Sequence, residues 1–214
     1  MTEILLIRHG ETDWNVEKRL QGHIDIGLND KGRWQAETLG NALAEEKLDA
    51  VYSSDLQRAL ITAQAIAALQ GLIVQKEARL RERCYGALEG MSYQEISQAY
   101  PDTYTAWRSR DIHARYPAGA NPAETLLEFS NRVVQAVTEL ARKHARHKIA
   151  IVTHGGVLDC VHRVAAGKNL SAKRDFDIFN AGINRLIWEG DTLRISHWGD
   201  IAHLAEAALD ETDR

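Results

Sequence analysis

Two uninterrupted apolar segments constrain the fold of this chain more than any other feature of its sequence. EILLIR at residues 3–8 and KIAIVT at residues 148–153 contain apolar runs without alternation of polar and apolar residues. Strands of this kind are buried on both faces, which is typical of parallel sheets covered by helices. Because segments of helical periodicity separate the predicted strands, we expect an α/β fold with a mostly parallel sheet and helices on both faces.

The predicted helices show apolar residues at spacings of three and four. One helix covers about 31–47, with Trp34, Leu39 and Leu43 on its apolar side, and a long helix starts at Ala123. Shorter helical patterns follow the strands LDAVYSS and KIAIVT. These helices are expected to cover the sheet.

Two further patterns mark the ends of elements. Ser54 and Gln57 form the pattern of a capping box at the start of the helix that follows LDAVYSS, and Gly71 suits the end of this helix. NRLIWEGDTLRISHW predicts an antiparallel C-terminal edge hairpin that turns at Gly190-Asp191.

Residues from about 84 to 122 form the least regular part of the chain and contain all three prolines. Long irregular segments often serve function, so we expect a helical and irregular insertion that covers the active-site end of the sheet as a lid. The segment LIVQKEARLRE before it is predicted to be extended. No linker or internal repeat divides residues 1–214, which predicts a single domain.

The charge and hydrophobicity of the sequence argue against some classes of binding partner and against a membrane location. The formal net charge is −4 and no long run of Lys and Arg occurs, which argues against nucleic acid or an anionic membrane surface as a partner. No apolar stretch reaches the ~20 residues of a membrane span, and no signal sequence is visible, so we expect a cytoplasmic location. The His and Cys spacing fits no metal site, and neither metal nor cofactor is expected. A homodimer is left open.

The ends of three predicted strands carry groups that suit an anion. Arg8-His9-Gly10 follows the first strand, Ser53-Ser54 with Arg58 follows the second, and His154-Gly155-Gly156 follows the strand at 148–153. In open α/β sheets, ligands bind beyond the carboxyl ends of the strands. Arginine provides a fork of charged donors, and glycine turns allow backbone N–H groups to approach an anion. The sequence therefore predicts a site for a phosphoryl group.

A histidine is the candidate nucleophile at this site. The chain contains neither a G-x-x-x-x-G-K-[ST] loop nor a G-x-S-x-G elbow, so nucleotide binding and serine hydrolysis lack their usual motifs. A neutral imidazole attacks phosphorus directly. Nearby arginines disfavour its protonation, and a backbone carbonyl is able to hold its other N–H and fix the tautomer.

The order and spacing of several motifs resemble the histidine phosphatase superfamily, which includes cofactor-dependent phosphoglycerate mutases and many small-molecule phosphatases. The motifs are LLIRHGETDWN, RLQGHIDIGLNDKG, VYSSDLQRALITAQ, LRERCYGALEG and IVTHGGVL. The similarity extends from the first strand to at least Leu158. RHG alone is a short motif, whereas the whole series is highly specific.

The resemblance implies a role for each matching residue. His9 matches the nucleophile that becomes a phosphohistidine, and Glu82 matches the acid that protonates the leaving oxygen and later takes a proton from water. Arg8, Arg58 and His154 match the groups that hold the phosphoryl oxygens. The predicted substrate-binding residues are Gly10, Asn15, Gln21, Gly22, Tyr85, Arg108 and Gly155.

The neighbours of Glu82 decide whether it faces the site. In an extended segment the side chains of Arg81 and Arg83 point away from the side that Glu82 occupies. Cys84 then shares the side of Glu82, and a thiol beside cationic groups is a candidate for reactivity. Cys160, inside an apolar helical pattern, is expected in the core.

The choice between mutase and phosphatase depends on groups that hold the rest of the substrate. Tyr85 agrees with the mutase pattern, but Ser109 replaces the second of the paired arginines in WRSRD, and Tyr93 replaces a lysine. Loss of these cations favours water as the acceptor, so we expect a phosphatase that acts on small phosphorylated metabolites. The cations Arg108, Arg110 and Arg115 are candidates for binding a second anionic group.

Three alternatives remain open at this point. A cofactor-dependent phosphoglycerate mutase shares the first half-reaction, and a phosphate-binding protein that has lost catalysis shares the fold. The intact set of site residues argues against the binding protein. A metal-dependent hydrolase is the third alternative, and activity that chelators do not reduce would exclude it.

Overall fold

The computed structural model describes residues 1–204 and contains one six-stranded sheet within that range. The polar segment EAALDETDR, expected to be solvated, lies outside the described residues. The strands follow the order β3-β2-β4-β1-β5-β6. Their bounds are β1 Thr2–Arg8, β2 Ala50–Ser53, β3 Val74–Lys76, β4 Lys148–Thr153, β5 Ile183–Glu189 and β6 Thr192–Asp200.

Four neighbouring strands are parallel, and β5 and β6 are antiparallel. This arrangement confirms the predicted mostly parallel sheet with an antiparallel hairpin at its C-terminal edge. At the hairpin turn, Gly190 and Asp191 have φ of 56° and 60°. Two consecutive positive φ values match the right-handed twist of the flanking strands, which explains why a Gly-Asp pair turns the chain here.

The strand register positions the candidate site. Arg8 at the end of β1 pairs with Thr153 at the end of β4, and Ser53 at the end of β2 pairs with Val152. The three junctions therefore leave the same edge of the sheet at nearly the same height, which brings residues from distant parts of the sequence together.

Seven α-helices occur within the described residues. Their bounds are α1 Asp13–Val16, α2 Asp30–Ala42, α3 Gln57–Gln70, α4 Tyr93–Ala99, α5 Pro101–Arg108, α6 Leu126–Lys143 and α7 Gly155–Ala165. The helix predicted to extend to about residue 47 ends at Ala42, and its Trp34 is 44% exposed instead of lying with Leu39 in the core. Gly71 ends α3 with a φ of 65°, as predicted.

The predicted capping box of α3 is wrong. Leu56 occupies the N-cap position, and no side chain caps the helix. The hydroxyl group of Ser54 contacts the ring of His154 instead. A local sequence pattern thus indicated a local contact, whereas the tertiary structure uses the same hydroxyl group across the sheet edge.

Helices cover both faces of the sheet, as the sequence predicts. Ile4 and Leu6 of β1 pack in a core with α6 and α7, whereas Leu5 and Ile7 pack in a second core with α2 and α3. Each β1 side chain in this run is at most 1% exposed, so the strand must be apolar on both faces. A strand without polar alternation has no other stable place in a globular protein.

The region predicted as an insertion contains α4 and α5 and a 3-10 helix at Gly86–Leu88. Its apolar side chains form a third cluster, which includes Leu88, Ile96 and Tyr116 and also contacts Leu20. The segment before it is extended only in β3, because the 3-10 helix Ala78–Leu80 follows directly. This early turn changes the direction of the side chains that follow it, including Glu82.

Candidate active site

The site lies where β1, β2 and β4 end. The imidazole rings of His9 and His154 lie edge to face, with centroids 5.2 Å apart. Both histidines are buried, at 3% and 0% exposure, and so are Arg8 and Arg58 at 2% and 0%. Four polar groups of this size are rarely buried together unless they bind a polar ligand.

The geometry of His9 fixes its tautomer. Its Nδ1 lies 2.7 Å from the carbonyl oxygen of Gly10 and therefore donates a hydrogen bond to it. The lone pair of a neutral ring is then on Nε2. The backbone of His9 is held on both sides, since its N–H donates to Thr153 O at 2.9 Å and its carbonyl accepts from Asn180 Nδ2 at 2.9 Å.

The two arginines are held by backbone carbonyl oxygens. Arg58, in the first turn of α3, donates to Gly22 O at 2.8 Å and Ile24 O at 2.9 Å, and Arg8 donates to Ile178 O at 3.0 Å. The buried Nε of Arg58 has no hydrogen-bond partner among the described residues. Burial lowers the pKa of Arg58 to about 10, which leaves its guanidinium charged at neutral pH. These fixed charges suit an anion.

Both site histidines are neutral at neutral pH. Burial, followed by the charges of Arg58 and Arg8, holds the pKa of His9 well below its usual range. Burial and the charge of Arg58 likewise lower the pKa of His154. A neutral imidazole retains a lone pair, so His9 Nε2 is able to act as a nucleophile.

Buried neutral histidines predict a loss of stability in mild acid. The pKa is lowered, mainly by burial, in His9, His23, His144, His154, His162 and His203. Below pH ~6.5 the unfolded chain binds protons at these residues that the folded protein does not bind, so stability falls as pH falls. Each whole proton contributes about 1.4 kcal/mol per pH unit.

We expect the free energy of unfolding, measured in urea, to decrease from about pH 7 to about pH 5.5. His162 provides a control, because its ring stacks on Phe176 at 3.5 Å and burial lowers its pKa to about 4. His162→Phe keeps an aromatic ring there and should weaken the pH dependence. Stability that is unchanged or higher at the lower pH would contradict the buried neutral state.

Glu82 is held against the N-terminus of α7. Its two carboxylate oxygens accept backbone N–H groups from Arg83 at 2.8 Å and Gly156 at 2.9 Å. A Cβ atom at Gly156 would lie 2.2 Å from Glu82 Oε1, so only glycine allows this approach. Gly156 was expected in a phosphate-binding turn, whereas in the structure its N–H donates to Glu82.

The arginines on either side of Glu82 differ from each other. Arg81 points away from the site and pairs with Asp55 at 2.6 Å, as expected. Arg83 was expected to point away too, but it is buried and lines a cavity beside Gly155 and Gly156. The prediction for Arg83 is wrong because the chain at Glu82 is irregular, so strict alternation of side chains does not apply.

Four predicted residues lie in the turns and the short helix that follow the sheet edge at the site. The N–H of Gly10 donates to Thr62 Oγ1, and a Cβ at Gly10 would lie 2.5 Å from Gly32 O. Asn15 lies in the short helix α1 and forms a capping box with Thr12, the N-cap residue of that helix. Gln21 is buried with its Oε1 unpartnered among the described residues, and Gly22, at a φ of 50°, holds Arg58 through its carbonyl.

The remaining predicted residues line the cavity that adjoins Glu82. Tyr85, Arg108 and Gly155 all lie in its wall. Of the three candidate cations for a second anion, Arg108 and Arg110 line the cavity, but Arg115 does not and instead pairs with Glu128. Arg110 also pairs with Asp159 at 2.6 Å.

Cys84 does not form part of this wall, although it was considered as a reactive thiol. Its side chain is buried, and burial raises its pKa to about 11. A thiol with this pKa stays protonated at neutral pH and is unreactive. Cys160 is fully buried in the core, as predicted.

Comparison with protein-family models gives a match over residues 4–201 to the histidine phosphatase superfamily (branch 1). The chain belongs to the histidine phosphatase superfamily. Five residues match the catalytic set of this family, and they lie up to about 145 positions apart in the sequence. The structure brings them to one end of the sheet: Arg8, His9, Arg58, Glu82 and His154. Membership confirms the predicted recognition and the enzyme class, a phosphoric monoester hydrolase, in a family that also contains mutases.

Some relatives of this histidine phosphatase are named as mutase-like proteins and others as phosphatases. It is 41% identical to phosphoglycerate mutase-like protein 4 of Arabidopsis thaliana over 97% of this chain and 89% of the relative. It is 35% identical to a metal-independent phosphoserine phosphatase of the same plant over 98% of this chain and 86% of the relative. A phosphoserine phosphatase from Entamoeba histolytica, solved with 3-phosphoglyceric acid, superposes with a TM-score of 0.83 at 27% identity, covering 95% of this chain and 100% of the other.

Several residues near this histidine phosphatase site carried no signal in the sequence. Asn180 holds the backbone of His9, and Lys173 and Arg174 line the cavity from the irregular segment after α7. Nothing in the spacing of this segment indicated a site. Ser54 was placed at a strand end of the predicted site, but its hydroxyl group was assigned to a cap and its contact with His154 was not predicted. Within residues 1–204, no helix is both long and apolar enough to cross a membrane.

Proposed function

We propose that this protein is a metal-independent phosphatase that hydrolyses small phosphate monoesters through a phosphohistidine formed at His9. The observation that carries this proposal is the geometry of His9. Its Nδ1–H is committed to the carbonyl of Gly10, and burial, followed by the charges of Arg58 and Arg8, keeps the ring neutral. Nε2 thus presents a lone pair beside the charges of Arg58 and Arg8, which suit an anion.

In the first step, His9 Nε2 attacks phosphorus and forms the P–N bond while the bond from phosphorus to the ester oxygen breaks. Glu82, protonated in this step, gives its proton to the leaving oxygen. Arg8, Arg58 and His154 stabilise the phosphoryl oxygens, assisted by Asn15 and the backbone at Gly155. Preorganised charge of this kind is often the largest single term in catalysis.

In the second step, water attacks the phosphohistidine and breaks the P–N bond. Glu82, now a carboxylate, takes the proton from this water, and inorganic phosphate leaves. Its two backbone hydrogen bonds keep the carboxyl group in one position for both proton transfers. Atoms and protons balance over the cycle, and neither step needs a metal or an organic cofactor.

The direct test measures phosphate release from 4-nitrophenyl phosphate in excess EDTA. We expect release that chelation does not reduce, together with a phosphoenzyme that is labile in acid and stable in alkali, as expected of a phosphorus–nitrogen bond. Loss of activity with EDTA, restored by a divalent cation, would contradict a metal-independent mechanism. Active enzyme without a phosphoenzyme would contradict the phosphohistidine.

The cavity beside Glu82 favours substrates with a second anionic group. Arg83 is 4% exposed, yet its guanidinium donates only to uncharged acceptors: Glu124 O at 3.0 Å, Tyr116 Oη at 3.3 Å and Ala114 O at 3.4 Å. No carboxylate within residues 1–204 forms an ion pair with it. A buried charge is costly without a counter-charge, which a carboxylate or second phosphate of the substrate supplies.

Replacement Arg83→Gln should therefore weaken use of such substrates selectively. We expect kcat/KM for phosphoserine or 3-phosphoglycerate to fall by about 10- to 100-fold, the value of a hydrogen bond to a charged group. For 4-nitrophenyl phosphate, which has no second anion, kcat/KM should change little. Arg115→Gln is the matched control, because Arg115 is half-exposed and outside the cavity. Equal losses on all substrates would refute the selective role.

A mutase is the second candidate, because Tyr85 and Arg108 both line the cavity. With 3-phosphoglycerate as substrate, a phosphatase releases inorganic phosphate, whereas a mutase forms 2-phosphoglycerate. We further propose that residues 1–214 form one domain and that the insertion at about 84–122 acts as a lid. The lid supplies Tyr85, Trp107 and Arg108 to the cavity wall.

A further inference from the structure

Ser54 connects the end of β2 to the second histidine of the site. Its Oγ lies 2.8 Å from Nε2 of His154, and both residues are fully buried. The backbone N–H of Leu56 donates to the same Oγ at 3.4 Å. The mechanism proposed above assigns no role to this hydroxyl group.

The direction of the hydrogen bond follows from where the hydroxyl hydrogen can go. Ser54 Oγ already accepts from Leu56, and His154 Nε2 is its remaining partner among the described residues. If Nε2–H donated to Ser54, the hydroxyl hydrogen would be buried without an acceptor, which is unfavourable. The hydroxyl group therefore donates to Nε2.

This direction determines the tautomer of His154. A neutral ring whose Nε2 accepts a hydrogen bond carries its hydrogen on Nδ1. Nδ1 of His154 is buried and has no partner among the described residues. It is thus the ring nitrogen that remains for a ligand at the sheet edge, where the ring of His9 lies 5.2 Å from that of His154.

We propose that Ser54 is a positioning residue that holds His154 in the Nδ1–H tautomer, so that His154 donates a hydrogen bond to an oxygen of the transferring phosphoryl group. The inference rests on the proposed function. In the opposite tautomer, Nδ1 would direct a lone pair at a negatively charged oxygen, and the contact would be repulsive. One hydroxyl group thus decides whether a neutral histidine assists or opposes phosphoryl transfer.

The tautomer is measured directly by ¹⁵N NMR of the protein labelled in its histidine rings, at neutral pH. We expect the His154 resonances of the wild type to show protonated Nδ1 and unprotonated Nε2. In Ser54→Ala, Nε2 should become protonated in at least part of the molecules. A wild-type ring protonated at Nε2, or at both nitrogens, overturns the proposal whether or not the protein is an active phosphatase.

The kinetic test uses the neighbouring serine as a matched control. Ser53 is also fully buried, but its hydroxyl group donates to the backbone carbonyl of Ser54. We expect Ser54→Ala to lower kcat for 4-nitrophenyl phosphate by about 10- to 100-fold with a smaller change in KM, as for other residues that orient a site group. Ser53→Ala should retain most activity, and Ser54→Thr, which keeps the hydroxyl group, should recover part of kcat.

The two measurements separate the possible failures. An Nδ1–H tautomer in both wild type and Ser54→Ala overturns the role of Ser54, because another contact then sets the tautomer. The role of Ser54 is also overturned if Ser54→Ala changes the tautomer of His154 but leaves kcat unchanged in an active enzyme. If the wild type hydrolyses no phosphate ester, the proposed function fails, while the NMR result still decides the tautomer.

Discussion

Replacement His9→Ala is expected to reduce kcat/KM for 4-nitrophenyl phosphate by at least about 10⁴-fold, the scale seen when an enzyme loses its nucleophile. The physical reason is that no other described group combines a neutral lone pair with the two arginines. His154 is neutral as well, but one of its ring nitrogens contacts Ser54. Phosphate release in excess EDTA provides the measurement.

The His9 variant needs two controls. His197→Ala removes an exposed histidine from β6 and should leave activity unchanged. Within residues 1–204, the only side-chain hydrogen bond of His9 is to Gly10 O in its own turn, so the alanine variant is expected to fold, which circular dichroism checks. It should form no acid-labile phosphoenzyme. Hydrolysis at the wild-type rate by a folded His9→Ala protein would disprove the mechanism.

Replacement Glu82→Gln should separate the two half-reactions. For an alkyl phosphate such as phosphoserine, we expect kcat to fall by about 10²- to 10⁴-fold, the usual contribution of a general acid or base. 4-Nitrophenolate is a good leaving group and needs little protonation. Its release should therefore occur as a rapid burst equal to the enzyme concentration, followed by slow turnover, because the phosphohistidine now lacks a base to activate water.

Glu89→Gln is the matched control for this prediction. Glu89, like Glu82, accepts two backbone N–H groups, from His23 and Tyr85, each at 3.0 Å. Glu89→Gln removes a carboxylate that also accepts hydrogen bonds from the backbone but has no proposed part in proton transfer. This variant should retain most activity. An alkyl phosphate hydrolysed by Glu82→Gln at the wild-type rate would exclude Glu82 as the acid and base.

Some of the site could be predicted because it depends on strand ends. Arg8, His9 and His154 directly follow apolar segments that only a doubly covered sheet can accommodate, and the register of β1 with β4 then forces them together. The family resemblance added Glu82, which lies outside any regular strand. A cytoplasmic location stays a prediction, and a homodimer stays open.

The sequence by itself determined the α/β architecture, the sheet edge that carries the site and the family. The periodic burial of side chains in a helix or strand is a local property, so the spacing of apolar residues in the sequence indicates it directly. Only the tertiary structure decided that Ser54 bonds to His154 instead of capping α3, that Arg83 faces the cavity, and that Asn180 holds His9. These contacts join residues in irregular segments with partners as far as 171 positions away, and no local spacing specifies such a partner.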